Sequence, residues 1–311
     1  MKALSIDCVL LIAFGGPEGV EDIRPFLQLV TEGRRIPAQR LEEVAHHYEL
    51  IGGRSPLNEL TRRQAEGLRR ALEREGIARP IFIGMRNWHP FLDESLAAMT
   101  AERCRRALGI IMSPFQTEAS WERYQRDVAR AREKLGNDAP EVVYAPPWSE
   151  HPRYIDAMTD RTAAALAGVP ADRRPAARII FTAHSVPVAM AAVSPYAEQL
   201  RRTGKSIAAR LAHAHWSVAY QSRSGSPRDP WLEPDITDVV RELAGQGVRD
   251  VVVAPVGFVC DHLEVLYDLD VEARAVAEEC GIGFHRAVTA NDHPAFIAML
   301  ADLVKRGPGA A

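Results

Sequence analysis

The sequence predicts an α/β protein built from two similar doubly wound domains, each with a mostly parallel sheet. Short apolar runs rich in Val, Ile or aromatic residues alternate with amphipathic stretches along the 311 residues, as expected for strand–helix–strand units. The same order of elements runs twice, and the Pro-rich segment 145–152 separates the two runs. We therefore expect one domain over residues 1–145 and a second over 146–311, with an active-site cleft between them. The last helix, about 293–306, is expected to pack back on the first domain.

Each predicted strand is a short apolar run bounded by Gly, Pro or polar residues. The runs cover 8–14, 80–85, 108–113, 141–145, 178–183, 217–222 and 250–258. Helical periodicity fills the stretches between them. It is clearest over 56–75, 118–135, 195–212, 234–246, 262–280 and 293–305.

Composition limits the partners and the location of the protein. Hydrophobic residues make up 47% of the chain and charged residues 25%, with a net charge of −3, so no basic excess indicates a nucleic-acid partner. No segment reaches the roughly 18 consecutive apolar residues of a membrane-spanning helix. The four cysteines are scattered without a C-x-x-C pair, which favours free thiols in a reducing cytoplasm over a zinc ribbon or a disulfide framework.

Residues that follow strands are the first candidates for a site, because ligands of doubly wound sheets bind at the carboxyl ends of the strands. Gly15 and Gly16 follow the first strand and permit either a tight turn or a close backbone approach to a ligand. His184 comes directly after the strand 178–183, and Pro187 prevents an immediate helix. A His in this position suits proton transfer or metal ligation, whereas the structural alternative is a hydrogen-bonded, partly buried side chain.

The stretch 253–272 begins as a strand and then collects five carboxylates with no Lys or Arg among them. Asp261 and Glu264 have the D-x-x-E form of a capping box, which would explain both without a functional role. Glu264, Asp268 and Glu272 are spaced i, i+4, i+8 along one helical face, where like charges repel by roughly 0.2–0.5 kcal/mol per pair. Such a carboxylate row suits a hard or borderline cation that is hydrated and passed along it.

Six segments carry a resemblance to a known family. They read LLIAFGGPEGVEDIRPFL (10–27), HYELIGGRSPLN (47–58), GMRNWHPFL (84–92), FTAHSVP (181–187), YQSRSGSPRDPWLEPDI (220–236) and PVGFVCDHLEVLYDLD (255–270). In these segments the chain resembles ferrochelatases, and among them the coproporphyrin ferrochelatases, over nearly its whole length. The resemblance implies two Rossmann-like, chelatase-type domains with parallel four-stranded sheets flanked by helices. It also implies a lyase of haem biosynthesis that inserts Fe(II), its metal substrate, into a porphyrin bound in the cleft.

The resemblance assigns roles to the residues that follow the strands of the second half. His184 and Glu264 resemble the family's catalytic pair, in which a neutral His accepts a pyrrole proton and the carboxylate relays another. His184, Glu264, Asp268 and Glu272 are the expected metal ligands, with the last two leading metal inward from the surface. A Mg²⁺ ion beside Asp268 and Glu272 is a further expectation.

The first half is expected to supply the porphyrin contacts. The residues so assigned are Phe14, Arg34, Arg35, Tyr48, Ser55 and Trp88. Some family members ligate iron through a Tyr at the end of the first strand, and Phe14 at that place predicts no side-chain oxygen on that face. Other members bind an iron–sulfur cluster through a Cys-rich tail and one internal Cys. We expect no cluster, because neither the tail LVKRGPGAA nor residues 185–200 contain Cys.

The choice of porphyrin and of function class leaves alternatives. The segment 28–43 is polar and basic rather than an apolar lip, which favours coproporphyrin III and its four carboxylates, with coprohaem as product. The alternative substrate is protoporphyrin IX. A non-catalytic tetrapyrrole or haem carrier is the alternative from another class, and His184 together with the carboxylate row argues against it. Transient contact with neighbouring enzymes of the haem pathway is also expected.

Overall fold

A computed structural model of the chain describes residues 6–33, 36–224 and 229–309. The chain divides into two compact units, and each contains one parallel four-stranded sheet. Unit 1 comprises Met1–Ser113, Ala119–Pro147 and Phe296–Ala311, and unit 2 comprises Pro114–Glu118 and Trp148–Ala295.

Unit 1 has the strand order β2-β1-β3-β4, so the first strand lies inside the sheet. All six residues of this strand are buried, which agrees with its continuous apolar sequence CVLLIA. The strands are β1 (Cys8–Ala13), β2 (Ile81–Met85), β3 (Arg106–Ile111) and β4 (Glu141–Tyr144), and the helices are α1 (Val20–Val30), α2 (Ala38–Leu50), α3 (Leu57–Arg74), α4 (Leu92–Ala101) and α5 (Arg123–Leu135).

Unit 2 repeats the arrangement with the strand order β6-β5-β7-β8. Its helices pack on a core that includes Ile180 of β5 and Val251 of β7, both fully buried. The strands are β5 (Arg178–His184), β6 (Trp216–Gln221), β7 (Asp250–Ala254) and β8 (Gly283–Arg286), and the helices are α6 (Pro152–Ala167), α7 (Val188–Ala192), α8 (Tyr196–Arg210), α9 (Ile236–Gly245), α10 (Leu263–Leu266) and α11 (Arg274–Glu279).

The last helix, α12 (Pro294–Arg306), contributes its residues from Phe296 onward to unit 1. Ile297 lies so close to Gly67 of α3 that a Cβ there would stand 3.0 Å from its Cδ1 atom. Lys305 Nζ pairs with the carboxylate of Glu75 at 2.9 Å. Among the helices of the described ranges, none combines the length and the apolar character needed to cross a membrane.

The two parallel four-stranded sheets predicted from the sequence are confirmed, with differences at element ends. The predicted strand 250–258 ends at Ala254, because the next residues bond elsewhere: Val256 N–H donates to Ala254 O, and Gly257 N–H donates to Thr182 O at 2.9 Å. The eighth strand, β8, was not predicted, because GFHR has neither an apolar run nor a turn signal of its own.

The helical periodicity over 262–280 corresponds to helical structure, but not to one regular α-helix. The chain forms α10, then a π-helical segment Asp268–Ala273, and then α11. Glu272 N–H donates to Tyr267 O at 3.0 Å, a five-residue step that widens the turn. A π-helical turn, Glu118–Glu122, likewise precedes α5, where a plain helix was expected over 118–135.

The end of β5 is packed against a glycine. A Cβ on Gly257 would stand 2.5 Å from Ala183 Cβ and 2.6 Å from Ala183 Cα, closer than real Cβ contacts. Only a residue without a side chain therefore allows the segment after β7 to lie against the residue that precedes His184.

We predict that Gly257→Ala lowers the free energy of unfolding by about 1–3 kcal/mol, because the added methyl overpacks against backbone. The matched control is Gly245→Ala at the end of α9, where a Cβ meets no atom within 4 Å. Gly245→Ala should instead stabilise by about 0.4–1 kcal/mol through the unfolded state. Denaturant unfolding monitored by circular dichroism measures both, and equal effects would contradict the packing argument.

Candidate active site

His184 is the last residue of β5 and lies at the carboxyl edge of the unit 2 sheet. Its ring Nδ1 contacts Ser185 O, and Tyr196 donates its hydroxyl hydrogen to His184 O at 2.8 Å. The His184 side chain is 28% exposed, and its ring centroid lies 6.5 Å from that of Trp231. The contact with Ser185 O fixes the imidazole, and the hydrogen bond from Tyr196 fixes the backbone that carries it.

Glu264 faces His184 from the second residue of α10, the helix that follows the neighbouring strand β7. The Nε2 atom of His184 lies 3.4 Å from Oε1 of Glu264, and the Nε2 atom of His262 lies 3.3 Å from Oε2. The backbone of Glu264 is also held, since its carbonyl accepts from Gln221 Nε2. Gln221 in turn accepts from Thr182 Oγ1 at 2.7 Å, so β5, β6 and α10 are connected by buried hydrogen bonds.

Asp268 and Glu272 continue the carboxylate row beyond Glu264. Asp268 Oδ2 accepts a hydrogen bond from Ser222, which directly follows β6. In a regular α-helix residues four apart drift by about 40° around the axis. The π-helical segment that contains Asp268 and Glu272 turns less per residue, which counters this drift, and the charges of Glu264 and Glu272 both act on Asp268.

The capping box proposed for Asp261 and Glu264 is wrong. The residue at the N-cap of α10 is His262, and no side-chain hydrogen bond caps the helix. Asp261 instead accepts from Asn291 Nδ2 at 2.9 Å and from Arg286 Nη1 at 3.0 Å. Contacts distant in sequence compete successfully with the local motif.

Burial and neighbouring charge set the protonation states of these groups. Burial alone would lower the pKa of His184, but the Glu264 carboxylate outweighs it and raises the pKa to about 9. Burial favours the neutral form of Glu264, yet the cationic His184 holds the pKa of that carboxyl well below its usual range. Burial and the charges of Glu264 and Glu272 raise the pKa of Asp268 to about 7, against the hydrogen bond from Ser222. In both groups the interaction between the two charges outweighs burial, so His184 and Glu264 each favour their charged form.

The four residues expected to bind metal lie in a row rather than a cage. Within the ranges that the structure describes, no three His, Cys, Asp or Glu side chains converge closely enough to hold an ion. Oxygen atoms arranged one after another suit a cation that keeps part of its water shell and moves between carboxylates.

Unit 1 gathers three of the residues expected to contact the porphyrin around the ring of Phe26. The Phe26 ring makes edge contacts with Phe14 at 6.4 Å, Tyr48 at 6.1 Å and Trp88 at 6.1 Å between centroids. Phe14 and Trp88 are partly exposed, whereas Tyr48 is buried. Ser55 is also buried, at 5% exposure.

Arg34 and Arg35 lie outside the described residues, so their expected contacts with the porphyrin carboxylates stay a prediction.

The turn after β1 depends on a residue that sequence reasoning missed. Asn58, fully buried, accepts from Gly16 N–H at 3.0 Å and donates to Gly16 O at 3.1 Å. Gly15 has a positive φ of 85°, and a Cβ there would stand 2.9 Å from Trp88 N. The two glycines therefore serve a tight, packed turn that brings Trp88 next to the end of β1.

Three further residues of unit 2 were also missed: Gln221, Ser222 and His262. Gln221 and Ser222 were detectable, because they end the strand beside β5 and so lie at the same carboxyl edge. Ser222 also has a left-handed backbone, with φ of 63°, a strained conformation typical of functional sites. His262 gave no sequence signal beyond its place next to Asp261.

We predict that the His184 imidazole in metal-free protein titrates with a pKa of about 9 in NMR spectra. In Glu264→Gln this pKa should fall, because burial remains while the strongest opposing charge is lost. The control Glu242→Gln, on the exposed surface of α9, should leave the titration unchanged. An unaltered His184 pKa in Glu264→Gln would show that the carboxylate does not hold the imidazole proton.

Solved structures share the fold of this chain. The sirohydrochlorin chelatase SirB from Bacillus subtilis subspecies spizizenii, in complex with cobalt, aligns over 96% of this chain and 94% of its own, with a TM-score of 0.57 at 9% identity. DR2241 from Deinococcus radiodurans, described as similar to chelatases with two additional domains, aligns over 98% of this chain and 56% of its own, with a TM-score of 0.58 at 14% identity. At these identities the similarity concerns the fold alone.

Sequence comparison identifies the family. The coproporphyrin III ferrochelatase of Nocardia farcinica is 44% identical, over 97% of this chain and 88% of its own length. The enzymes of the same name from Mycolicibacterium vanbaalenii and Mycobacterium tuberculosis are 42% identical over 97% of this chain, and over 90% and 86% of their own lengths. The family model described as Ferrochelatase matches residues 7–307, and the chain therefore belongs to the ferrochelatase family.

Proposed function

We propose that this chain is a coproporphyrin ferrochelatase, a lyase that inserts Fe(II) into coproporphyrin III to give coprohaem in haem biosynthesis. The observation that carries the proposal is the His184–Glu264 pair with a carboxylate row leading away from it, in a chain of the ferrochelatase family. The curated relatives at 42–44% identity that bear the name coproporphyrin III ferrochelatase support the same substrate.

Metal insertion makes two demands on such a site. Two pyrrole N–H protons must leave as Fe(II) enters, so a proton acceptor has to lie beside the ring nitrogens. The macrocycle must also bend so that its nitrogen lone pairs meet the metal, and binding energy spread over the ring can supply that distortion. His184 and Glu264 are assigned the first task, and the aromatic residues Phe14 and Trp88 contribute to the second.

The proton already on His184 has to leave before the imidazole accepts another. The neighbouring Glu264 carboxylate stabilises this proton on His184, because its charge raises the pKa of the imidazole to about 9. A dication at Glu264 or Asp268 would compensate the carboxylate charge and lower the pKa of His184, so that the imidazole releases its proton to bulk water. Arrival of the metal substrate therefore prepares the base that takes up a pyrrole proton.

The carboxylate row is assigned the delivery of Fe(II). Burial and the repulsion of Glu264 and Glu272 hold the pKa of Asp268 at about 7, so a cation bound there relieves an existing cost. Hard oxygen ligands equally suit a Mg²⁺ ion beside Asp268 and Glu272, and that ion remains part of the proposal.

The polar and basic sequence of the segment 28–43 is a further reason to propose coproporphyrin III as the substrate. The described side chains of this segment are mostly exposed, and Arg40 forms an ion pair with Glu43 at 3.1 Å. The adjacent basic residues Arg34 and Arg35, through which the segment would favour a substrate with four carboxylates, lie outside the described residues. The absence of an iron–sulfur cluster, a cytoplasmic location and transient contacts with neighbouring pathway enzymes stay predictions.

We predict that His184→Ala lowers the kcat of iron insertion by about 100-fold or more, because a positioned acid–base group is lost. Binding of coproporphyrin III, measured by fluorescence quenching, should persist. His215→Ala, an exposed His beside β6, is the control and should retain wild-type turnover. Equal iron insertion by His184→Ala and wild type would remove the catalytic assignment.

A second prediction concerns Glu264 and Glu272 of the carboxylate row. Glu264→Gln should mainly lower kcat, since it removes the partner of His184, whereas Glu272→Gln should mainly raise the KM for Fe(II). Anaerobic steady-state assays at varied Fe(II) separate the two parameters. Similar small effects from both substitutions would eliminate the delivery role of the row.

A further inference from the structure

Arg286, the last residue of β8, connects two carboxylates of the acidic stretch. Its Nη1 atom lies 3.0 Å from Asp261 Oδ1, and its Nε atom lies 2.8 Å from Asp270 Oδ1 and 2.9 Å from Asp270 Oδ2. The Arg286 side chain is only 12% exposed. One guanidinium thus spans the segment 261–270, which carries both Glu264 and Asp268.

The Asp261 end of this segment is fixed independently of Arg286. Asp261 N–H donates to Asn291 Oδ1 at 3.0 Å, and Asp261 Oδ2 accepts from Asn291 Nδ2 at 2.9 Å. Thr289 N–H also donates to Asp261 Oδ1 at 3.3 Å. The other end has a different character, since Asp270 lies within the π-helical segment between Asp268 and Glu272. Arg286 therefore connects Asp261, which other hydrogen bonds already fix, to Asp270 in the π-helical segment.

The guanidinium also separates the acidic residues by charge. Asp261 and Asp270 are compensated by Arg286, whereas Glu264 contacts the ionisable rings of His184 and His262. The positive charge of Arg286 offsets part of these two negative charges, which would otherwise attract the incoming cation away from Glu264 and Asp268. A buried arginine with two carboxylate partners is also costly to remove, because its partners would remain charged and unpaired.

We propose that Arg286 is a positioning residue for metal capture: it holds the segment 261–270 so that Glu264 and Asp268 are presented to the incoming Fe(II). This inference rests on the proposed function, since it assigns the presented carboxylates to iron delivery. The planar fork of Arg meets two separate carboxylates at fixed angles, which the single ammonium of Lys cannot reproduce. Groups that orient metal-binding side chains typically contribute about 10- to 100-fold in metal affinity or activity.

The test compares Arg286→Lys, Arg286→Met and Asp270→Asn with wild type in anaerobic iron insertion into coproporphyrin III. Arg274→Met is the matched control, because Arg274 also contacts Asp270, at 3.4 Å, but is 40% exposed and does not reach Asp261. Thermal unfolding of each variant verifies the folded state. Asp270→Asn removes one arm of the bridge and remains informative if Arg286→Met does not fold.

We expect the KM for Fe(II) to rise about 10- to 100-fold in the Arg286 variants and in Asp270→Asn, with an unchanged KM for coproporphyrin III. Arg274→Met should stay within about twofold of wild type, as for an exposed ion pair. A purely structural role would lower kcat through loss of folded enzyme and leave both KM values unaltered. That result, or wild-type kinetics in folded Arg286→Lys and Asp270→Asn, overturns the proposal. If wild type itself inserts no iron, the proposed function fails first.

Discussion

The ion pair between His184 and Glu264 depends on two neighbouring parallel strands that end at the same edge of the unit 2 sheet. The backbone of β5 delivers the imidazole, and the segment after β7 delivers the carboxylate to within 3.4 Å of it. Gly257 permits that segment to lie against Ala183, and Gln221 bonds the backbone of Glu264 to the sheet. The electrostatics follow from this geometry, since each partner stabilises the charged form of the other against the cost of burial. In the proposed mechanism, a cation that compensates the charge of Glu264 lowers the pKa of His184 and releases its proton to bulk water.

Much of the fold and the central pair could be predicted from the sequence. Seven strands were recognisable because each is a short apolar run, and the ends of parallel strands are where α/β proteins place ligands. That rule led to His184, and the spacing of Glu264, Asp268 and Glu272 led to the carboxylate row. The same rule also indicates Ser222, which follows β6, the strand paired with β5. It should therefore have been applied to β6 as well as to β5 and β7.

The features that local patterns did not predict arise from contacts between residues far apart in the chain. Asp261 and Glu264 have the letters of a capping box, yet Asp261 bonds to Asn291 and Arg286, which only the pairing of β8 with β7 brings near. The π-helical turn was also not predicted, since no periodicity in the sequence distinguishes it from an α-helix. Asp270, in the π-helical segment, binds Arg286, sixteen residues further along the chain. The acidic stretch therefore has a basic partner, which lies outside the stretch in sequence.

The most direct test of iron insertion into coproporphyrin III is to assay the purified wild-type protein with coproporphyrin III and protoporphyrin IX side by side. We expect coprohaem to form from Fe(II) at a rate that clearly exceeds the formation of protohaem. Turnover of protoporphyrin IX that is equal or faster would contradict the proposed substrate. Tight binding of both porphyrins without insertion of iron into either would contradict the assignment of catalytic activity and indicate a non-catalytic carrier.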